Sequence, residues 1–253
     1  MTAPGSPRAH GKVRHLFVKT FHGREASELS GGESLLCVQG WGIEGDVHAN
    51  RLSPRQILIA LASDLEKFAI APGSLHENMV VSLTPEHMFR PGAAILTDRG
   101  VEIRLTMYCE PCSRISHLIP KLRDLVQRRG ILGTIAKGGS ISAGDLFTLL
   151  PDRYALLPES PTRRFRDFVA AIPPGTVVRY ADIAVGMGVA HSFVRAMPGY
   201  IKRNIHQGLP MHRIVNANGQ LLAYLPNQAE KLTAEGVQIE RAKVDLRSFL
   251  WQG

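Results

Sequence analysis

The feature that most constrains this chain is a change of hydrophobic period across a proline-punctuated segment. In GDLFTLLPDRYALLPESPTRRF, Pro151, Pro158 and Pro161 follow a strand-like run. Proline lacks a backbone donor and fixes φ, so no regular element passes through such a stretch. Upstream, AAILTDRG and GVEIRLTMY alternate or cluster aliphatic and β-branched residues between glycines, the pattern of short strands. One helix is expected among them, over Ser53 to Phe68. Downstream, RFRDFVAAI spaces Phe165, Phe168, Val169 and Ile172 by three and four, on one helical face. The expectation is an α+β protein: a basic flexible arm over residues 1–11, a mainly β domain over 12–150, a linker over 151–161 and a mainly α domain over 162–253.

Size agrees, since 253 residues exceed the usual single domain of roughly 100 to 150. No run approaches the roughly 20 apolar residues that span a bilayer, and MTAPGSPRAHGKVRH carries no apolar signal block, so a cytoplasmic location is expected. The three cysteines, Cys37, Cys109 and Cys112, are too few and too odd in number for a disulfide scaffold. The formal charge of +8 points to an anionic partner such as nucleic acid, and the shorter half carries more of it, with 13 basic against 8 acidic residues from Pro151 onward. No internal repeat is present, which excludes a solenoid.

In the C-terminal half, RYADIAVGMGVAHSFVRAMPGYIKR reads as a helix, a turn at Gly186 to Gly188, and a second helix with Phe193, Met197 and Ile201 on one face. That is a helix-turn-helix pattern, with Arg195, Lys202 and Arg203 placed to meet phosphates or bases. Pro198 predicts a kink after Arg195, and Arg179 stands where a side-chain cap would be favourable. Taken singly, Tyr180 reads equally well as a core residue and Arg195 as a solvated one. The ordered series IPPGTVVRYADIA, VRAMPGYIKR, LPMHRIVNANG, LTAEGV and VDLRSFLW, however, resembles the winged-helix-like DNA-binding domain of the O6-alkylguanine-DNA alkyltransferases over nearly all of residues 162–251. The resemblance implies that Tyr180 presses on the phosphate beside the target, that Arg195 fills the vacated stack, and that Lys202, Arg203 and Arg213 also face double-stranded DNA. It implies that Met211, His212 and Glu235 shape a lesion pocket, with Arg213 beside them; a structural His212 satisfied by Glu235 is the alternative. That family carries its reactive cysteine at the place of Met211. A thioether is already fully substituted and cannot accept an alkyl group as a thiolate does, so this half is expected to be catalytically inactive. The branch it most resembles is the alkyltransferase-like proteins, which bind alkylated DNA and signal to repair proteins. They usually carry tryptophan there.

In the N-terminal half, GIEGDVHA, RQILIA, ENMVV, TMYCEPCSRI and GGSISAGD, in that order, resemble the MOSC domain, a β-barrel with helices named for the C-terminal part of molybdenum cofactor sulfurases. The resemblance implies that Cys112 carries sulfur or ligates molybdenum in the molybdenum cofactor (molybdopterin), with Cys109 an additional thiol. Gly45, Asp46, Arg55, Glu77, Asn78 and Arg114 are implied to frame the pocket, Arg114 lowering the thiol pKa. Cys-x-x-Cys leaves open zinc, completed by His87 or His117, a redox disulfide, or a purely structural pair. The leading expectation for the whole chain is a DNA-binding protein that recognises O6-alkylguanine-type lesions by base flipping and carries a MOSC module. The rival is a molybdenum-cofactor enzyme or sulfur carrier in which the C-terminal half only targets or stabilises. In a union of the two, the MOSC half acts on modified bases.

Overall fold

A computed structural model describes residues 8–253, which divide into two compact units meeting in sequence between Leu157 and Pro158. In the first unit, β1 (Ala9–Val18), β2 (Ser27–Glu28), β3 (Ser34–Val38) and β4 (Gly42–Ile43) precede β5 (Ile57–Leu61) and α1 (Ala62–Lys67). There follow β6 (Met79–Thr84), β7 (Ala94–Thr97), β8 (Glu102–Tyr108), β9 (Ile131–Lys137), β10 (Gly139–Ser142) and β11 (Leu146–Leu150). Seven strands run in the order β11-β7-β8-β9-β5-β6-β1, and β1 pairs back with β11 to close a barrel. All neighbours are antiparallel except β5 and β6, which α1 connects as a crossover. Closure leaves no free edge, and the inward residues, among them Val13, Ile59, Val81, Ile95, Ile103, Ile135 and Leu149, form one core.

Residues 9–11 are not part of an arm: Ala9 pairs with Leu149 and is fully buried, and Gly11 leaves room for the Phe147 ring. Residues 1–7 of that proposed arm lie outside the described ones. The helix expected over Ser53 to Phe68 begins only at Ala62, because Ile57 to Leu61 are buried on every side as an inner strand. A continuous apolar run of five fits a strand buried on both faces as well as it fits a helix, and periodicity cannot separate them.

The second unit contains α2 (Pro161–Ala171), β12 (Val178–Arg179), α3 (Tyr180–Gly186), α4 (Met197–Asn204), β13 (Ile214–Val215), α5 (Gln228–Ala234), β14 (Ile239–Glu240), β15 (Lys243–Val244) and α6 (Leu246–Phe249). Phe165, Val169 and Ile172 of the sequence-predicted face are buried against Ile183, Met187, Met197 and Ile201. Pro198 causes no kink after Arg195. The segment His191–Ala196 is a separate 3-10 helix, and Pro198 falls in the first turn of α4, where its missing donor has no intrahelical partner to lose. Arg179 gives α3 no side-chain cap, as expected, but its own backbone N–H donates to the Asp182 carboxylate at 2.8 Å and its guanidinium pairs with the same group at 2.9 Å. No described helix is long and apolar enough to cross a membrane.

Candidate functional site

In the second unit a two-residue parallel clip brings distant motifs together. Val178 pairs with Ile214 and Arg179 with Val215, so Tyr180, the first residue of α3, and the Met211-His212-Arg213 turn lie at the two ends of one clip. Met211 is 3% exposed and packs with Ile214, Leu222 and Leu225. Beside it, the Glu235 carboxylate accepts from His212 Nε2 at 2.7 Å, from Arg213 Nε and Nη2 at 2.9 and 2.7 Å, and from the Gly175 N–H at 3.1 Å. The Arg213 hydrogen bonds dominate and outweigh burial, so the Glu235 carboxyl is held down to about 2. Gln228, itself buried, donates to the His212 and Ile214 carbonyls at 3.0 and 2.7 Å and accepts from Leu222 N–H. Met211, a thioether, adjoins this network in sequence through His212 and Arg213.

Of the expected DNA-facing residues, Arg195, Lys202 and Arg203 are exposed, on the 3-10 helix and the last turn of α4. Lys202 Nζ lies 5.2 Å from the Tyr224 ring centre, and Arg203 stacks 4.9 Å from that of Tyr200. Tyr180 is half-buried, its hydroxyl 2.9 Å from that of Tyr224; burial, then that hydrogen bond, raises its pKa. Arg213 points inward instead. With Ile172 O at 2.5 Å taking a further donor, its guanidinium is spent on the pocket wall and not on phosphates. His212 is tied to Glu235, the structural arrangement weighed as an alternative.

In the barrel unit, most residues that motif order singled out converge. Asp46 accepts from the backbone N–H of Lys19 at 3.0 Å, from the backbone and Nδ1 of His48 at 2.8 and 2.9 Å, and from Asn78 Nδ2 at 2.8 Å. Burial opposes ionisation of Asp46, but these donors prevail and lower its pKa. Glu77 is fully buried: Oε1 accepts from the Gly73 N–H at 2.6 Å while Oε2 has no partner, and burial raises its pKa. Gly45 sits in a turn at φ +77°, open on its Cα side, and Arg55 lies close enough for its charge to act on Cys109.

Pattern reading missed Arg129. Its guanidinium, 7% exposed, donates to Glu110 O at 2.6 Å and reaches Cys112 Sγ at 3.4 Å, while its Nε has no partner. Burial would raise the Cys112 thiol; a backbone hydrogen bond at Arg114 and the charges of Arg129 and Arg114 outweigh it, so the pKa falls below the ordinary thiol value. Cys109 behaves oppositely, being 2% exposed and raised by burial. Lys19 and His76 were also missed. Burial lowers the His76 pKa, as do the charges of Lys19, Arg129, Arg114 and His48, which places these groups near one another. A buried arginine gives no sequence signal of its own partner, and RRGILG reads as a strand start. Among the described residues no three His, Cys, Asp or Glu side chains converge on a metal site, so the zinc reading through His87 or His117 finds no support.

Residues 160–237 match the family model described as 6-O-methylguanine DNA methyltransferase, DNA binding domain. A DNA base-flipping protein of Escherichia coli (strain K12) is 35% identical over 99 residues, covering 37% of this chain and 75% of that protein. The chain belongs to this family through its C-terminal half. The alkyltransferase-family unit is also similar to S. pombe Atl1, solved in complex with damaged DNA containing O6-carboxymethylguanine, at 25% identity and a TM-score of 0.35 over 38% of this chain and 99% of that one. The barrel unit shares its fold with the YuaD protein of Bacillus subtilis, at 20% identity and a TM-score of 0.50 over 56% of this chain and 97% of that one.

Proposed function

We propose that this protein recognises O6-alkylated guanine in duplex DNA by turning the base out of the stack, and that it does not take up the alkyl group. One observation supports the reading: buried Met211, where the resemblance puts the acceptor cysteine, directly precedes His212 and Arg213, both bonded to Glu235. Flipping a base costs a few kcal/mol, least for a damaged pair, and exposed Arg195 offers a planar cation to occupy the gap. A relative that flips bases supports the same reading. The test is anisotropy binding to duplexes with and without O6-methylguanine, together with a stoichiometric methyl-transfer assay. A lesion preference that weakens with Arg195→Ala and with rising salt, and no transfer, is expected. Equal binding to both duplexes, or transfer of one methyl per chain, would overturn it.

For the barrel unit we infer a site for an anionic group that accepts a thiolate. The lowered Cys112 thiol, the nearby arginine charges and two of the unpartnered buried atoms, Arg129 Nε and Glu77 Oε2, fit the molybdenum cofactor or a persulfide carried on sulfur. Cys112 would hold the metal through Sγ, with Arg129, Lys19 and Arg114 facing the anionic remainder. The bound group would supply two-electron or sulfur-transfer chemistry, and this chain's Arg129 and Arg114 would favour the Cys112 thiolate. Elemental analysis of purified protein for molybdenum, and mass spectrometry for a persulfide, should find one of them lost on Cys112→Ser; neither being present in wild type would remove this reading.

A further inference from the structure

Tyr180 is the residue that the recognition reading sets against a backbone phosphate, yet its hydroxyl already bonds that of Tyr224 at 2.9 Å. One of two hydroxyls at this distance donates and the other accepts. Phosphate oxygens only accept, so a tyrosine that grips a phosphate must still own its proton. The direction of the tyrosine pair therefore decides whether Tyr180 can serve.

The Lys202 ammonium breaks the symmetry. It lies 5.2 Å from the Tyr224 ring centre, and a cation over a π face draws density from the ring and strengthens its O–H as a donor. Among the described residues no cation lies over the Tyr180 ring. Tyr224 is also firmly presented. It sits between buried Leu222 and Leu225, which close a turn by a 2.9 Å backbone bond, and Leu222 N–H is anchored on Gln228 at 2.6 Å.

We propose that Tyr224, polarised by Lys202, donates its hydroxyl proton to Tyr180 and so leaves the Tyr180 proton free for a DNA phosphate, making Tyr224 a positioning residue of the phosphate grip. The proposal rests on the DNA-recognition reading and adds a partner to it. Lys202 then acts through Tyr224 and not as a direct phosphate contact.

The test is a double-mutant cycle on the full chain, with Tyr224→Phe, Lys202→Met and the pair, binding both plain and O6-methylguanine duplex. Tyr224→Phe keeps the ring and removes only the hydroxyl. It should weaken binding roughly tenfold on both duplexes, the size of one hydrogen bond to a charged group. Lys202→Met should weaken binding in the wild-type background, add little in the Tyr224→Phe background, and leave the salt slope unchanged. Wild-type affinity in Tyr224→Phe would overturn the proposal, as would multiplying effects or a salt slope reduced by about one in Lys202→Met. Because plain duplex also reads the phosphate grip, loss of the lesion preference alone would count against base recognition and not against this pair.

Discussion

Glu235→Gln should separate the stability of the second unit from that of the barrel, and should do so in a pH-dependent way. In the folded chain Glu235 is held at about 2 against an ordinary 4.5, chiefly by Arg213, with its side chain 16% exposed. A depressed carboxylate contributes stability that is full above its unfolded pKa and is lost as pH falls through its folded one. A shift of this size is worth roughly 3 kcal/mol at pH 7, since each pKa unit corresponds to about 1.4 kcal/mol. The amide can still accept one hydrogen bond but leaves the half-buried Arg213 charge unbalanced, so the expected loss at pH 7 is about 2 to 4 kcal/mol. Trp251, packed 5.5 Å from Phe168, reports this unit by fluorescence once Trp41 of the barrel is replaced by Phe. Urea unfolding at a series of pH values should show wild type and Glu235→Gln far apart at pH 7, drawing together below about 4.5 and meeting near 2. A gap that stays constant down to pH 3, or one under about 0.5 kcal/mol at pH 7, would refute the reasoning.

Three further outcomes are expected. Iodoacetamide at pH 7 should label Cys112 well ahead of Cys109 and Cys37, whose thiols burial raises, and Arg129→Met should slow that labelling; peptide mass spectrometry reads both, and uniform labelling in native protein would contradict the assignment. Met211→Cys restores a thiol next to His212 and Glu235, so the variant should take up about one methyl per chain from an O6-methylguanine duplex; a variant that binds the lesion without transfer would show the network is not poised for a nucleophile. Gly11→Ala sets a Cβ 2.2 Å from the Phe147 ring, and by overpacking it should cost the barrel about 1 to 3 kcal/mol while leaving the Trp251 transition in place. A shared shift of both transitions would count against two independent units.

The parts of this architecture legible in the sequence are those with a local cause. Phe165, Val169 and Ile172 repeat at helical spacing and are buried as a face; Glu102–Tyr108, from GVEIRLTMY, is a strand. The inner strand Ile57–Leu61 was not legible because burial on both faces erases period. Motif order singles out Cys112, Asp46, Glu77 and Asn78, and the Asp46–Asn78 bond at 2.8 Å brings two of those motifs together. Arg129 reaches Cys112 from 17 residues away and Tyr224 reaches Tyr180 from 44 away, and no spacing rule encodes pairs of that kind. Arg213 was given a phosphate role because exposed and inward arginines look alike until the carboxylate they answer is seen.

The parallel clip of Val178–Arg179 with Ile214–Val215 has a consequence for how this domain can vary. Both ends of the cleft are fixed by four strand residues, while everything between them, including the 3-10 helix and α4, leaves and returns through the same gate. Within that segment Ile183, Met187, Met197 and Ile201 are buried in the same core as Met211, so only its exposed stretches, such as residues 206–208, can change in length without moving the cleft floor.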